Sequence, residues 1–178
     1  MAANDGTPAI GRTLIHNVYI VNEGRSFLGY VLVEGDTISA VGEGAPEPEL
    51  IASANAIDGA GRLLLPGVID THVHFRDPGL THKADMATES MAAVAGGITS
   101  FIDMPNTKPP TISIAEVDRK MDRAREVSVA NYAFFIGATD SNLPELARAD
   151  YSRVAGVNLS MGASTGNMPV SGPAAIDA

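Results

Sequence analysis

The sequence predicts an α/β fold in which about four βα units build a parallel sheet, preceded by a small antiparallel β segment. Three observations carry this. From Leu63 onward, near-continuous apolar runs alternate with helical patterns, as expected for parallel strands covered by helices. Before Leu63 the runs are β-branched and aromatic and are divided by Asn-Glu-Gly and Glu-Gly-Asp turn chemistry. The change of texture divides a β-rich segment, residues 1–62, from an α/β segment, residues 63–178. A closed (β/α) barrel uses about eight strands and ~250 residues, so these strands read either as an open sheet or as the first half of something larger. The stretch from Pro169 to Ala178 has no periodicity and completes no fifth unit, which favours part of a longer chain.

In chain order, Thr13–Val21, Phe27–Val33 and Thr37–Val41 read as strands of a small antiparallel meander. Gly42 to Leu50 is rich in Gly, Pro and Glu and reads as a solvated loop, followed by a short strand and turn at Ala56–Gly61. A long apolar strand runs from Leu63 to His74, and a helix over Ala84–Ala95 ends at Gly96-Gly97. After a strand at Ile98–Met104, Ser113 and Glu116 form a capping box, with Ile112 and Val117 as the hydrophobic staple. Ile114, Val117, Met121 and Ala124 share one face of that helix, and Glu116 is expected to pair with Lys120 on another. Val129–Ala138 reads as a third strand, Asn142 with Glu145 as the start of a short helix, and Val154–Met161 as a fourth strand.

Composition narrows the function classes. A net charge of −9 without any basic run argues against nucleic acid, whose binding needs clustered Lys and Arg. The absence of cysteine excludes disulfides and thiolate metal sites and fits a reducing compartment. No apolar run approaches the ~20 residues that span a bilayer, and MAANDGTPAIGR lacks a secretory apolar region. A cytoplasmic protein is the expectation.

The chemistry concentrates in LLLPGVIDTHVHFRDPG, Leu63 to Gly79. Residues i and i+2 of a strand point the same way, so His72 and His74 set two imidazoles side by side at the strand's C-terminal end. That is half of a site for zinc or a similar divalent ion, which needs at least three protein ligands and an open position. Arg76, two residues further, is placed on the same face, where its guanidinium fork suits a carboxylate. The plainer reading of Arg76 is a surface ion pair with Asp77 or Asp85, and that of Asn106 is a turn residue before Pro109-Pro110. Asp70 reads as a supporting or structural carboxylate, while His16 and His82 read as a strand histidine and an exposed loop histidine outside the site.

Taken together, PGVIDTHVHFRDPG, GLTHKAD, DMPNTKPPT and GVNLSMGASTGNM resemble the dihydroorotases of the amidohydrolase superfamily, over essentially the whole chain as an N-terminal portion. The resemblance implies the first half of a (β/α)8 metal-dependent hydrolase barrel, flanked by a composite β-domain to which residues 1–62 contribute. It implies that His72 and His74 bind the more buried metal, and that Arg76 and Asn106 hold the substrate carboxylate. The implied reaction is reversible cyclisation of N-carbamoyl-L-aspartate to dihydroorotate, a step of pyrimidine synthesis. The aspartate that moves the proton belongs to a late strand and is expected beyond the end of this chain. In relatives with this fourth-strand pattern, a carboxylated lysine that bridges two metals stands where this chain has Asn158. An uncharged amide is a poor bridging ligand, so the resemblance implies one or two zinc ions, with Asn158 disfavouring the second. Allantoinases and hydantoinases share the His-x-His strand without the Arg76 and Asn106 combination and form one alternative. A non-catalytic half-barrel is the other: an unclosed sheet edge admits a homo-oligomer or a completing polypeptide.

Overall fold

The computed structural model describes residues 11–161 and 170. The terminal segment MAANDGTPAI, the GASTGNM part of the last motif and nearly all of Pro169–Ala178 lie outside the described residues. The chain divides into two compact units, Met1–Pro66 and Gly67–Ala178.

The first unit is a mixed sheet centred on strand β1 (Arg12–Asn22). Strands β2 (Arg25–Glu34) and β3 (Thr37–Glu43) follow as the expected antiparallel meander. The short strands β4 (Asn55–Asp58) and β5 (Leu63–Leu64) instead run parallel to β1, in register Leu14↔Ala56 and Tyr19↔Leu63. The connection from β3 contains a short helix, α1 (Pro48–Ala52), where a loop was expected; Pro48 takes the opening turn, where a missing N–H costs nothing. Val18, Ile20 and Val31 form the core, with Phe27 and Leu64 packed against them.

The apolar run predicted as one strand from Leu63 to His74 is two. Leu63–Leu64 completes the first sheet, and β6 (Val68–Val73) opens the second. Pro66 lacks the N–H a ladder needs, and Gly67 lies so close to Thr99 that a Cβ there would collide with its side chain. These two residues mark the switch.

The second unit is a parallel sheet in the order β6, β7 (Ile98–Asp103), β8 (Asn131–Gly137), β9 (Gly156–Asn158). Helices α2 (Met86–Ala95), α3 (Ile114–Val127) and α4 (Leu143–Arg148) fill the three connections. Each strand lies beside its predecessor, the winding of a barrel rather than of a doubly wound sheet, whose order reverses. The inner strands carry the core: Phe101, Phe134 and Ile136 are almost wholly buried, and Phe75, Met86 and Ala124 pack with Phe101 and Phe134. Val68 and Ile69 stay 56% and 61% exposed on edge strand β6, which pairs with β7 on one side and with no strand on the other among the described residues.

Helix α3 has the expected apolar face, with Val117 against Ile136 and Val154, and Ala124 in the aromatic cluster. Its cap forms by half: Ser113 Oγ accepts the Glu116 N–H at 3.2 Å, while the Glu116 carboxylate turns to Arg119. The expected Glu116–Lys120 pair is absent for the same reason. Lys120 is instead buried, its Nζ 2.6 Å from Asp103 Oδ2, 3.1 Å from the Met104 carbonyl and 4.7 Å above the Phe134 ring. Burial pushes the Lys120 ammonium below its ordinary pKa, and the Asp103 charge opposes that shift. At α2, the Thr88 N–H bonded to Asp85 holds that carboxyl below its usual range, so the cap persists above the ordinary carboxylate pKa and is lost as pH falls through the lowered value. Asn142 precedes α4 without capping it. Its amide donates to the carbonyls of Ile112 and Gly137 and accepts the Thr139 N–H, and Glu145 accepts the Ile114 N–H at the start of α3.

Two stability outcomes follow, both readable by urea denaturation. Ser113→Ala removes one cap bond and lowers unfolding free energy by about 1 kcal/mol. Lys120→Met leaves the Asp103 carboxylate buried and unpaired and lowers it by about 3–5 kcal/mol.

Candidate metal and substrate site

The site forms where β6 and β7 end. Parallel pairing puts Val73 beside Asp103, so the residues that follow these two strands emerge together. His72 is in β6 and His74 just past it; both are exposed, with ring centroids 5.1 Å apart at an interplanar angle of 66°. Asp70 is spent locally, its Oδ1 accepting the His72 N–H at 3.1 Å beside the irregularity between Asp70 and Val73.

Arg76 reaches the site by a different route from strand alternation. The strand stops at Val73, and Arg76 adopts φ 60°, a left-handed conformation that costs a non-glycine residue roughly 1 kcal/mol or more. Its Nη1 lies 3.4 Å from the Asn106 carbonyl. The two carboxylates offered as surface partners are committed elsewhere: Asp77 accepts from Arg123 and from the Met86 N–H, and Asp85 caps α2. The guanidinium therefore makes no ion pair among the described residues.

Asn106 links the two loops. Its Oδ1 is 2.8 Å from His74 Nδ1; an amide oxygen only accepts, so this contact is a hydrogen bond in the tautomer that carries its proton on Nδ1 and its lone pair on Nε2. Sequence reasoning missed this contact, although the register of parallel neighbours could have found it. The Pro-Gly of the first loop is held against the second: Lys108 N–H donates to the Pro78 carbonyl at 3.1 Å. At Gly79, φ 85°, a Cβ would strike the Lys108 carbonyl.

A cavity of about 130 Å³ is lined by His72, His74, Met104, Asn106, Asn158 and Ser160. Asn158 thus comes to the histidine pair, its Oδ1 3.3 Å from Ser160 Oγ. Arg76 borders the site through Asn106, while His16 lies in β1 and His82 in an exposed turn, and neither is among the lining residues. Two imidazole nitrogens suit a divalent ion as a pair of ligands, but no cluster of three or more His, Cys, Asp or Glu able to hold a metal exists among the described residues. The donor set fits half of a metal centre. No helix among the described residues is long and apolar enough to cross a membrane.

Sequentially wound parallel strands with polar groups gathered beyond their carboxyl ends have the arrangement of a (β/α) barrel, which builds its sites at that end. Residues 63–164 match the amidohydrolase family, to which the chain belongs. It is 47% identical over 87 residues to a dihydroorotase of Methanothermobacter thermautotrophicus, covering 49% of this chain and 20% of that protein. A dihydroorotase of Halobacterium salinarum is 43% identical over 61% of this chain and 25% of its own length, and an allantoinase of Solibacter usitatus 38% identical over 77% and 29%. Among solved structures, an L-hydantoinase from Arthrobacter aurescens superposes with a TM-score of 0.83 at 27% identity, covering 92% of this chain and 36% of that one. The matched segments thus span only about a fifth to a third of these relatives. Metal dependence and cyclic amide hydrolysis hold at the level of the family.

Asn106→Ala frees the His74 ring, and the affinity of the His72–His74 pair for added divalent metal, read by chelator competition, is expected to fall about 10–100-fold. His74→Ala should abolish it.

Proposed function

We propose that the chain is the N-terminal part of a dihydroorotase-like zinc hydrolase that interconverts N-carbamoyl-L-aspartate and dihydroorotate. One observation carries the reading: an arginine without an ion-pair partner among the described residues stands beside Asn106, which itself touches His74. A planar, bidentate donor with a neighbouring amide suits a substrate carboxylate, which dihydroorotate has and hydantoin lacks. The dihydroorotase relatives support the same choice.

In this reading His72 and His74 would hold the ion, and the Asn106 contact at His74 Nδ1 would orient that ring and leave Nε2 as its ligand nitrogen. Zinc, when bound, would polarise the ring amide carbonyl and lower the pKa of a water. Arg76 and the Asn106 amide orient the substrate through its carboxylate, and the acid–base aspartate is assigned to a later strand. Asn158 lines the cavity without a charge, which favours one zinc over two. Residues 67–161 then represent the first half of the barrel and residues 12–64 one share of a flanking β-domain. A cytoplasmic setting fits the cysteine-free sequence.

The second reading, a hydantoinase- or allantoinase-type amidase, draws on the 77% coverage by the allantoinase and the fit to L-hydantoinase. A third, assembly with a completing chain or another copy, draws on the exposed Val68 and Ile69. Steady-state kinetics separate the first two. In the full-length enzyme that supplies the later strands, dihydroorotate should turn over, and Arg76→Ala should raise its KM about 10–100-fold, the worth of a charge-assisted hydrogen-bond pair. Turnover of hydantoin or allantoin, with none of dihydroorotate, would select the second reading.

A further inference from the structure

We infer that the buried Asp103–Lys120 pair is a positioning device that aligns the two site loops, beyond its part in the core. Asp103 ends β7, and both of its carboxylate oxygens are used. Oδ1 accepts the N–H of Phe75, the residue after His74, at 2.9 Å, and Oδ2 accepts Lys120 Nζ at 2.6 Å. The same ammonium donates to the Met104 carbonyl at 3.1 Å, while the Met104 N–H donates to the Val73 carbonyl at 3.0 Å. Val73 and Phe75 flank His74 on one side, and Met104 lies two residues from Asn106 on the other. The backbone on either side of the His74–Asn106 bond is therefore pinned to one buried ion pair, whose side chains are 0% and 1% exposed.

A core needs no charges at such a place. Apolar residues of similar volume often serve a buried pair's packing role as well or better. What apolar residues lack is an acceptor for the Phe75 N–H and a donor for the Met104 carbonyl, the two groups that set where His74 and Asn106 emerge. Phe75 is itself anchored, with its ring 4.5 Å from that of Phe101, so the Asp103 bond fixes the direction of a segment already held at its side chain. Neither residue lines the cavity, which makes them positioning residues.

The inference rests on the proposed metal and carboxylate roles of His74 and Asn106, but its test reads geometry without turnover. Two double variants keep the charge balance: Asp103→Leu with Lys120→Met removes the Phe75 acceptor, and Asp103→Asn with Lys120→Met retains an amide oxygen there. Long-range proton–nitrogen NMR of His74 reports its tautomer. The native protein and the Asn/Met variant should show the Nδ1–H form, and the Leu/Met variant a mixture of both. Zinc added alone should bind the Leu/Met variant about tenfold more weakly than the Asn/Met variant. An unchanged tautomer and equal zinc affinity across the three would overturn the inference. If the Leu/Met variant does not fold, hydrogen exchange of the Phe75 amide in the native protein decides: protection supports the bond, and exchange at the free-peptide rate refutes it. Loss of zinc binding in all three, with the tautomer pattern as expected, would count against the proposed function alone.

Discussion

A buried carboxylate must find partners for its lone pairs and its charge, and in this chain Asp103 finds them in a way that joins three elements. Its strand supplies the position, helix α3 supplies the Lys120 ammonium, and the segment after β6 supplies the Phe75 N–H. Both side chains are almost wholly buried, with the Phe134 ring against the ammonium, which strengthens the pair and makes either partner alone costly. The alignment of the two loops that carry His74 and Asn106 depends on this contact.

Parallel pairing does the remainder. Because β6 and β7 run side by side in the same direction, their ends open on the same side, and residues 32 positions apart in sequence share a hydrogen bond. Two local features complete the loops. Arg76 occupies a left-handed backbone conformation that turns it toward Asn106, and Gly79 lets the first loop lie against the Lys108 carbonyl. Backbone strain at Arg76 sits where a substrate carboxylate is proposed to bind, a distribution common at functional sites.

The edges of the parallel sheet and the incomplete ligand set agree with each other. Two histidines, two asparagines, a serine and Met104 line a cavity with no carboxylate from the described residues, and β6 carries apolar side chains that remain exposed. Residues 63–164 match the amidohydrolase family, and the matched segments span about a fifth to a third of the relatives compared.

Much was determined by sequence alone, because it rests on local pattern: the meander, the alternation of strands and helices, the Ser113 cap, the apolar face of α3, and the spacing that sets His72 beside His74. Motif composition also pointed to the family before any geometry. Tertiary structure decided what depends on partners distant in sequence. Lys120 reads as a surface residue four after Glu116, and only packing of α3 on β7 shows that burial and the Asp103 charge claim it instead. Leu63–Leu64 reads as the start of one long strand until β1 offers it an edge. Arg76 reads as a strand neighbour of His74, yet it arrives through a turn whose cost is borne by contacts no local rule contains. Periodicity encodes which face a side chain takes, whereas the partner it meets there is set by the register of strands and helices brought together from elsewhere in the chain.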